Sequence, residues 1–448
     1  MPDIGELEPL CSRAGKALYG RVSVPGDKSI SHRALIIASS AIGETRIKGL
    51  LEGEDVLATA SALSEMGVTL NQDCNGCWIV QGLGVGALMS PNNILDMGNA
   101  GTAARLLMGL IAGNPISAII TGDASLRSRP MKRVIEPLEA MGTQISSHLD
   151  NYLPVQINGN ISPLPLDYKL TVPSAQVKSA ILLCGLSSRG STIIHEINPS
   201  RDHTERMLKQ FGAEIKVDND ENNGVYISLN GQCNLYATEL SIPGDISSAA
   251  FLIAAAVMIP NSEITVTNVG INPLRTGFLD TLLDMGADLL INRVDTDSPE
   301  PIADITARYS QLRGVSVPSN RAPTMIDEYP ILAVLASVAK GRTEMHGIRE
   351  LRYKESDRIA TTVSLLNSAG VEVNEFEDGF SIEGNGKPAA GGVIIETALD
   401  HRIAMAALVM GLTTDKPIRI NDSSPISTSF PTFVNLMKKL GAEINNPA

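Results

Sequence analysis

Several short phrases of this 448-residue chain collect the residues able to do chemistry. VPGDKSISHRAL, Val24 to Leu35, sets Lys28, Ser29 and Arg33 beside a glycine turn, where an apolar helix begins. Free backbone N–H groups, two cations and a hydroxyl at a helix start make an anion site. Other helix starts follow the same grammar. GNAGTAAR offers Gly98 and Gly101 for close backbone approach to a ligand, and RSRPMKR follows with Arg129. VPSAQVKSA opens a helix with Ser174, Ala175 and Gln176, and RDHTERM adds Arg201. TMIDEYP carries Asp327, RYKESDR carries Lys354, Glu355 and Arg358, and LDHRIAM carries Arg402.

Alone, each phrase reads as a solvated helix cap more readily than as a ligand site. Together they predict a cleft rich in cations, with two carboxylates and no metal-ligand set, which suits polyanionic small substrates. Asp327 and Glu355 offer acid–base chemistry, because neighbouring cations or burial push two carboxyl pKa values apart. Lys28 is a third proton carrier. The residues by themselves point to a transferase without metal or cofactor, acting on phosphorylated, carboxylated metabolites. GDKS is not the end of a phosphate-binding P-loop, since Asp27 separates Gly26 from Lys28. His32 and Arg33 are expected to precede the apolar helix without helping to pack it.

The elements that must position these residues repeat. LSEMGVTL, LEAMGTQI, LKQFGAEI, LLDMGADL, LNSAGVEV and MKKLGAEI place glycines at 67, 142, 212, 286, 370 and 441, roughly 70 to 85 residues apart. Each predicts a helix ending on a left-handed glycine and then a strand. Upstream of each lies a small-residue helix such as SAAFLIAAAVM, too continuously apolar for a surface helix and therefore buried all round. The unit reads strand, helix, strand, helix, strand, strand, and six copies predict two domains of three units each. The sixth copy stops soon after Gly441, and GKALYGRVSVPG resembles its missing closing strand. Residues 1–23 are therefore expected to complete a second domain of 243–448, with 24–242 inserted. PGD then falls at both crossings, near 24–27 and 242–245, as paired hinges in which proline fixes φ and glycine relaxes it.

Composition bounds the function. A formal charge of −13 argues against general nucleic-acid binding, yet clustered Arg and Lys set a local field against it. The first residues read as no signal peptide and no apolar run spans a membrane, so a cytoplasmic protein is expected. Cys74 and Cys77 flank Asn75-Gly76, a hairpin signal rather than a metal or redox pair. GLGVGAL is a loop, not a dinucleotide fingerprint. His195, His346 and His401 are structural histidines.

These phrases, PGDKSISHRALIIAS and GNAGTAARLLMGL above all, resemble the signature segments of the 5-enolpyruvylshikimate-3-phosphate synthase family, from about Leu18 to about Gly441. The resemblance implies a two-domain inside-out α/β barrel of six βαβαββ units, closing over a central cleft. It implies transfer of enolpyruvyl from phosphoenolpyruvate to the 5-hydroxyl of shikimate 3-phosphate, with release of phosphate and no cofactor. Lys28, Ser29, Arg33, Ser174, Ala175, Gln176, Arg201, Asp327 and Lys354 match positions that hold shikimate 3-phosphate. Lys28, Gly101, Arg129, Gln176, Arg358 and Arg402 match those around phosphoenolpyruvate. Asp327 matches the base for the 5-hydroxyl, and Glu355, assisted by Lys28, the acid for the methylene carbon. The implied partners are these small molecules and the inhibitor glyphosate, for which Gly101 leaves room; a monomer is expected. One departure stands out: many members carry a lysine where ISTSFP has Thr428 and Ser429, as in a divergent bacterial subgroup. Two other readings are a sister enolpyruvyl transferase acting on a UDP-aminosugar and a non-enzymatic anion-binding repeat protein. The first normally has Asn in place of Ser29 and a reactive loop cysteine; the second predicts dispensable carboxylates.

Overall fold

Parallel strands need a crossover, and in four of the six sheets of the described residues a buried helix makes it. The computed structural model describes residues 7–220, 224–294 and 298–447. The chain divides into two units, one of Gly26–Ile242 with Asp297–Glu300, the other of Met1–Pro25, Pro243–Thr296 and Pro301–Ala448. The module centred on residues 167–230 shows the plan. Strand Asp167–Leu170 runs parallel to Ser191–Glu196, and helix Ala175–Gly185 connects them. Helix His203–Gln210 then leads to the hairpin of Ile215–Asn219 and Val225–Asn230, whose second strand pairs antiparallel with Ser191–Glu196. The same order recurs in all six sheets of the described residues.

The six module glycines all adopt positive φ, between +88° and +107°, so each helix ends as its sequence predicts. The crossover helices form the cores. Every residue of Ile246–Met258 is buried, as are the ten residues from Ile30 to Ser39 in helix Lys28–Ser39. Asp27, Ser174, Asp245 and Asp400 cap four of them, accepting from the N–H groups of Ile30, Val177, Ser247 and Arg402.

Three details differ from the sequence reading. First, the N-terminal segment does close the sixth sheet, but with a different strand. Leu10–Arg13 pairs antiparallel with both Ile418–Ile420 and Glu443–Asn445. Tyr19–Ser23, within GKALYGRVSVPG, instead runs parallel to Glu263–Gly270 as the first strand of the fourth module. Its likeness to LYATELSIPG was real, since Glu239–Ser241 is likewise a parallel first strand, beside Ala41–Lys48. Each PGD therefore follows a strand that stays in the sheet of the unit the chain is leaving.

Second, Gly26 and Gly244 are not among the glycines with positive φ. Gly26 is needed because a Cβ there would overlap the carbonyl oxygen of Gly49, and one at Gly244 would press on Val24 Cγ2 at 3.0 Å. Close approach, not φ, selects glycine. Third, His32 and Arg33 lie inside the helix and are 0% and 3% exposed. His32 Nδ1 sits 2.7 Å from Thr59 Oγ1. Burial, with Lys28 and Arg33 beside it, pushes the imidazole down to about 3, so it packs as a neutral ring.

In the inserted unit the helices Gly101–Ala112 and Ala175–Gly185 meet at Gly109, where a Cβ would overlap the Ala180 carbonyl oxygen and Cα. This contact sets how closely the starts of these two helices, with Gly101 and Gln176, approach. Gly109→Ala should therefore lower stability by about 1–3 kcal/mol, the range for overpacking a close-packed interior. An unchanged urea midpoint would show that the two backbones can part freely.

Candidate active site

Nine of the residues singled out from sequence, Lys28, Ser29, Arg33, Gly101, Arg129, Ser174, Ala175, Gln176 and Arg201, belong to the inserted unit. They are tied together. Arg33 donates from Nε to Thr204 Oγ1 at 2.7 Å, from Nη2 to Ser179 Oγ at 2.8 Å and from Nη1 to the Ser29 carbonyl at 2.8 Å. Gln176 Nε2 donates to Thr102 Oγ1 at 2.9 Å, joining two helix starts. Arg129 reaches Asn99 Oδ1 and Ser125 Oγ, and its Nη1 lies 3.1 Å from where a Cβ on Gly101 would stand. Lys28 Nζ is paired with Asp55 Oδ2 at 2.9 Å. Burial pushes the Arg33 guanidinium down to about 10, with Glu205 and Asp27 opposing and the Arg201 charge adding to the fall. It stays cationic at neutral pH.

Asp327, Lys354, Glu355, Arg358 and Arg402 fall in the other unit, where Arg358 is the centre. This guanidinium is 1% exposed. Its Nε and Nη2 grip both oxygens of Asp400, at 2.8 and 3.2 Å. Its Nη1 lies 3.3 Å from Asp327 Oδ1, and Nη2 lies 2.6 Å from Glu355 Oε2. Lys354 Nζ stands 3.5 Å from the same Asp327 oxygen. Arg402 Nη1 donates to the Asp327 carbonyl at 3.1 Å and lies 3.7 Å from Glu328 Oε1. Burial works to lower the Arg358 pKa, but Asp400, Glu355 and Asp327 more than offset it and hold it above the ordinary value. One fixed fork thus carries both carboxylates proposed for proton transfer.

Sequence reasoning missed Asp400, Asp55 and Glu328, which hold the site's cations in place. Asp400 was open to discovery, since it caps its helix just as Asp27 and Asp245 cap theirs. Asp55, in the first turn of Glu54–Glu65, carries no such signal. Thr428 donates its hydroxyl to the Pro425 carbonyl at 2.8 Å. The Cys74/Cys77 hairpin forms as expected, with Gly76 at φ +77° between Thr69–Gln72 and Trp78–Leu83. Among the described residues one group has metal-ligand spacing, Asp202, His203 and Glu300. There Arg206 Nε donates to Asp202 at 2.7 Å and His203 Nδ1 lies 2.6 Å from Glu300 Oε1.

The Asp400 pair makes a pH-dependent prediction. Burial acts to raise the Asp400 pKa, but Arg358 outweighs it and the net direction is down. Its stabilisation is then complete above the usual carboxylate value, about 4, and is lost as pH falls through the lower folded value. Breaking a buried pair costs about 3–5 kcal/mol, so Asp400→Asn should lower the urea midpoint strongly near neutrality. The gap to the wild type should begin to close only below about pH 4; closure between pH 5 and 7 would contradict the assignment.

Comparison with known proteins gives this constellation a family. The sequence model described as EPSP synthase (3-phosphoshikimate 1-carboxyvinyltransferase) matches residues 12–437. A 3-phosphoshikimate 1-carboxyvinyltransferase of Granulibacter bethesdensis is 51% identical over 445 residues, 98% of either chain. The structure of EPSP synthase from Acinetobacter baumannii superposes with a TM-score of 0.85 at 42% identity, covering 98% of this chain and 99% of that one. The enolpyruvyl transferase NikO of Streptomyces tendae, at 17% identity and a TM-score of 0.76 over 98% and 99% of the two chains, shares the fold. With the family model matching residues 12–437 and a relative at 51% identity along 98% of the chain, this chain belongs to the EPSP synthase family.

Proposed function

We propose that this chain transfers the enolpyruvyl group of phosphoenolpyruvate to the 5-hydroxyl of shikimate 3-phosphate, releasing phosphate in the shikimate pathway toward aromatic amino acids. The observation that carries the reading is Arg358, which holds Asp327 and Glu355 on one buried guanidinium in a family of 3-phosphoshikimate 1-carboxyvinyltransferases. Neither the UDP-aminosugar reading nor the scaffold reading accounts for relatives of that name at half identity along the whole chain.

Shikimate 3-phosphate is assigned to Lys28, Ser29, Arg33, Ser174, Gln176, Arg201, Asp327 and Lys354, and to Ala175 through its unpaired N–H at the first position of a helix. Phosphoenolpyruvate is assigned to Lys28, the backbone at Gly101, Arg129, Gln176, Arg358 and Arg402. Two anions repel, so the cations act first by letting both occupy one site. The incoming phosphoenolpyruvate carboxylate competes with Glu355 for Arg358, which frees Glu355 to carry a proton. Glu355 gives that proton to the C3 methylene, and C2 becomes cationic. Asp327 takes the proton of the 5-hydroxyl as its oxygen bonds to C2. Then Glu355 removes a proton from the new methyl group and the C2–O bond to phosphate breaks. The proton on Asp327 leaves with the phosphate, whose charge the cations stabilise. The chain acts as a cytoplasmic monomer in this reading; no helix of the described residues is long and apolar enough to cross a membrane.

Phosphate release should require both substrates and persist in chelator. Asp327→Asn and Glu355→Gln should each lower kcat by about 10²–10⁴-fold, the usual contribution of a positioned acid or base. Shikimate 3-phosphate binding, followed by calorimetry, should survive Glu355→Gln within a few fold. Phosphate release without shikimate 3-phosphate would sink the transfer.

Gly101 makes a separate test with glyphosate. A methyl group there would stand 2.9 Å from Arg105 Nη1 and 3.1 Å from Arg129 Nη1, so it would crowd the Arg129 guanidinium assigned to phosphoenolpyruvate and the room left for the inhibitor. The wild type should be sensitive, and Gly101→Ala should raise the inhibition constant by about tenfold or more. An unchanged constant would mean that glyphosate does not bind against this glycine.

A further inference from the structure

The inserted unit buries a lysine that no step above uses. Lys178 is 1% exposed and stands one turn inside helix Ala175–Gly185. Its Nζ lies 2.8 Å from Glu196 Oε2 and 2.7 Å from Glu205 Oε1, and it donates to the Ser200 carbonyl at 3.2 Å. Glu196 ends strand Ser191–Glu196, Glu205 lies in the first turn of helix His203–Gln210, and Ser200 belongs to the connection between them. Glu196 grips that connection again, accepting from Ser200 Oγ at 2.5 Å and from Ser200 N at 3.3 Å. Arg201 is the next residue. One step along the same two helices, Ser179 Oγ lies 2.6 Å from Thr204 Oγ1, and both hydroxyls accept from Arg33.

A buried lysine with two carboxylates is not a plain source of stability, because apolar side chains of similar volume often do as well. What such a network supplies is direction. Burial works to lower the Lys178 pKa, while Glu205 and Glu196 outweigh it and keep the ammonium charged. Burial in turn pushes the Glu205 carboxyl up, with Lys178 opposing. The three partners come from separate elements, and the Ser200 carbonyl and hydroxyl leave that loop few ways to move.

We infer that Lys178 is a positioning residue for the anion subsite. Through Glu196, Glu205 and Ser200 it sets Arg201 and Thr204, and hence Arg33, against the helix start of Ser174, Ala175 and Gln176. This rests on reading those residues as the shikimate 3-phosphate subsite. Lys178 touches no reacting atom; it fixes the distance between the two walls that receive the phosphate and the ring.

Four quantities test it: shikimate 3-phosphate affinity by calorimetry, the KM of each substrate, kcat, and the urea midpoint. The variants are Lys178→Met, Ser200→Ala and Arg201→Ala. Ser200→Ala removes one tether yet leaves the lysine and both glutamates, so it carries the test even if Lys178→Met does not fold. Lys178→Met and Ser200→Ala should weaken shikimate 3-phosphate binding and raise its KM by about tenfold, with the KM for phosphoenolpyruvate and kcat moved less than about threefold. A purely structural role would instead move kcat and both KM values together with the midpoint. Weakened binding in Arg201→Ala with wild-type affinity in the other two overturns the positioning role alone. Wild-type affinity in Arg201→Ala overturns the subsite reading, and the positioning role with it.

Discussion

A guanidinium taken out of water must be held by something, and what holds it decides what it can later bind. Arg358 is the clearest case, because three carboxylates meet on it. Without Asp400, a desolvated cation would sit beneath Asp327 and Glu355 with nothing to fix its plane. With Asp400 gripping Nε and Nη2, the remaining edge of the fork is aimed at the two carboxylates. Asp400 is itself fixed, since it caps the helix His401–Gly411 through the N–H of Arg402. One aspartate therefore joins backbone, buried charge and the two carboxylates of Asp327 and Glu355. The fold reaches its site chemistry through the ends of its core helices.

That coupling follows from the module. A parallel strand pair requires a crossover, the crossover is buried on all sides, and the only part of it that meets polar surroundings is its end. Several of the candidate site residues lie near those ends, while Arg33 and Lys178 are buried within their helices. Helix Ile246–Met258 shows the converse. It has the same PGD entry as helix Lys28–Ser39 and the same aspartate cap, but Ile246, Ser247 and Ser248 replace Lys28, Ser29 and Ile30. Ser247 serves its neighbours, bonding Glu328 and accepting from Arg275 at 2.8 Å. The turn is written twice because both units begin a core helix with it, and only one copy carries cations.

Much of this was legible in the chain. The six glycines announced six helix ends, and all six hold the left-handed conformation. The apolar crossover helices announced the cores, and the polar phrases at their starts supplied the candidate site residues. What failed to read out was long-range partnering. GKALYGRVSVPG looked like a closing strand because propensity shows that a segment is extended, not which edge it joins; the four residues Leu10–Arg13 were too short to compete. Gly26 looked like a hinge, yet its reason is a carbonyl of Gly49 that no local pattern reveals. Asp55 escaped because a lone acid in a first turn is ordinary, and its pairing with Lys28 exists only in three dimensions.

Arg33 and Arg358 then show two ways of keeping a buried cation. Arg33 gives its bonds to two hydroxyls and a carbonyl, all neutral, and burial lowers its pKa to about 10 without removing its charge at neutral pH. Its field is not cancelled at contact, so an arriving phosphate adds an anion where none touches the guanidinium. Arg358 is bonded to carboxylates, and its pKa rises. An anion arriving there must displace a carboxylate already present, which in the proposed reaction is Glu355. Binding without exchange suits a residue proposed only to hold a substrate. Binding by exchange suits the role proposed for Arg358, where the arrival of one substrate releases a proton carrier.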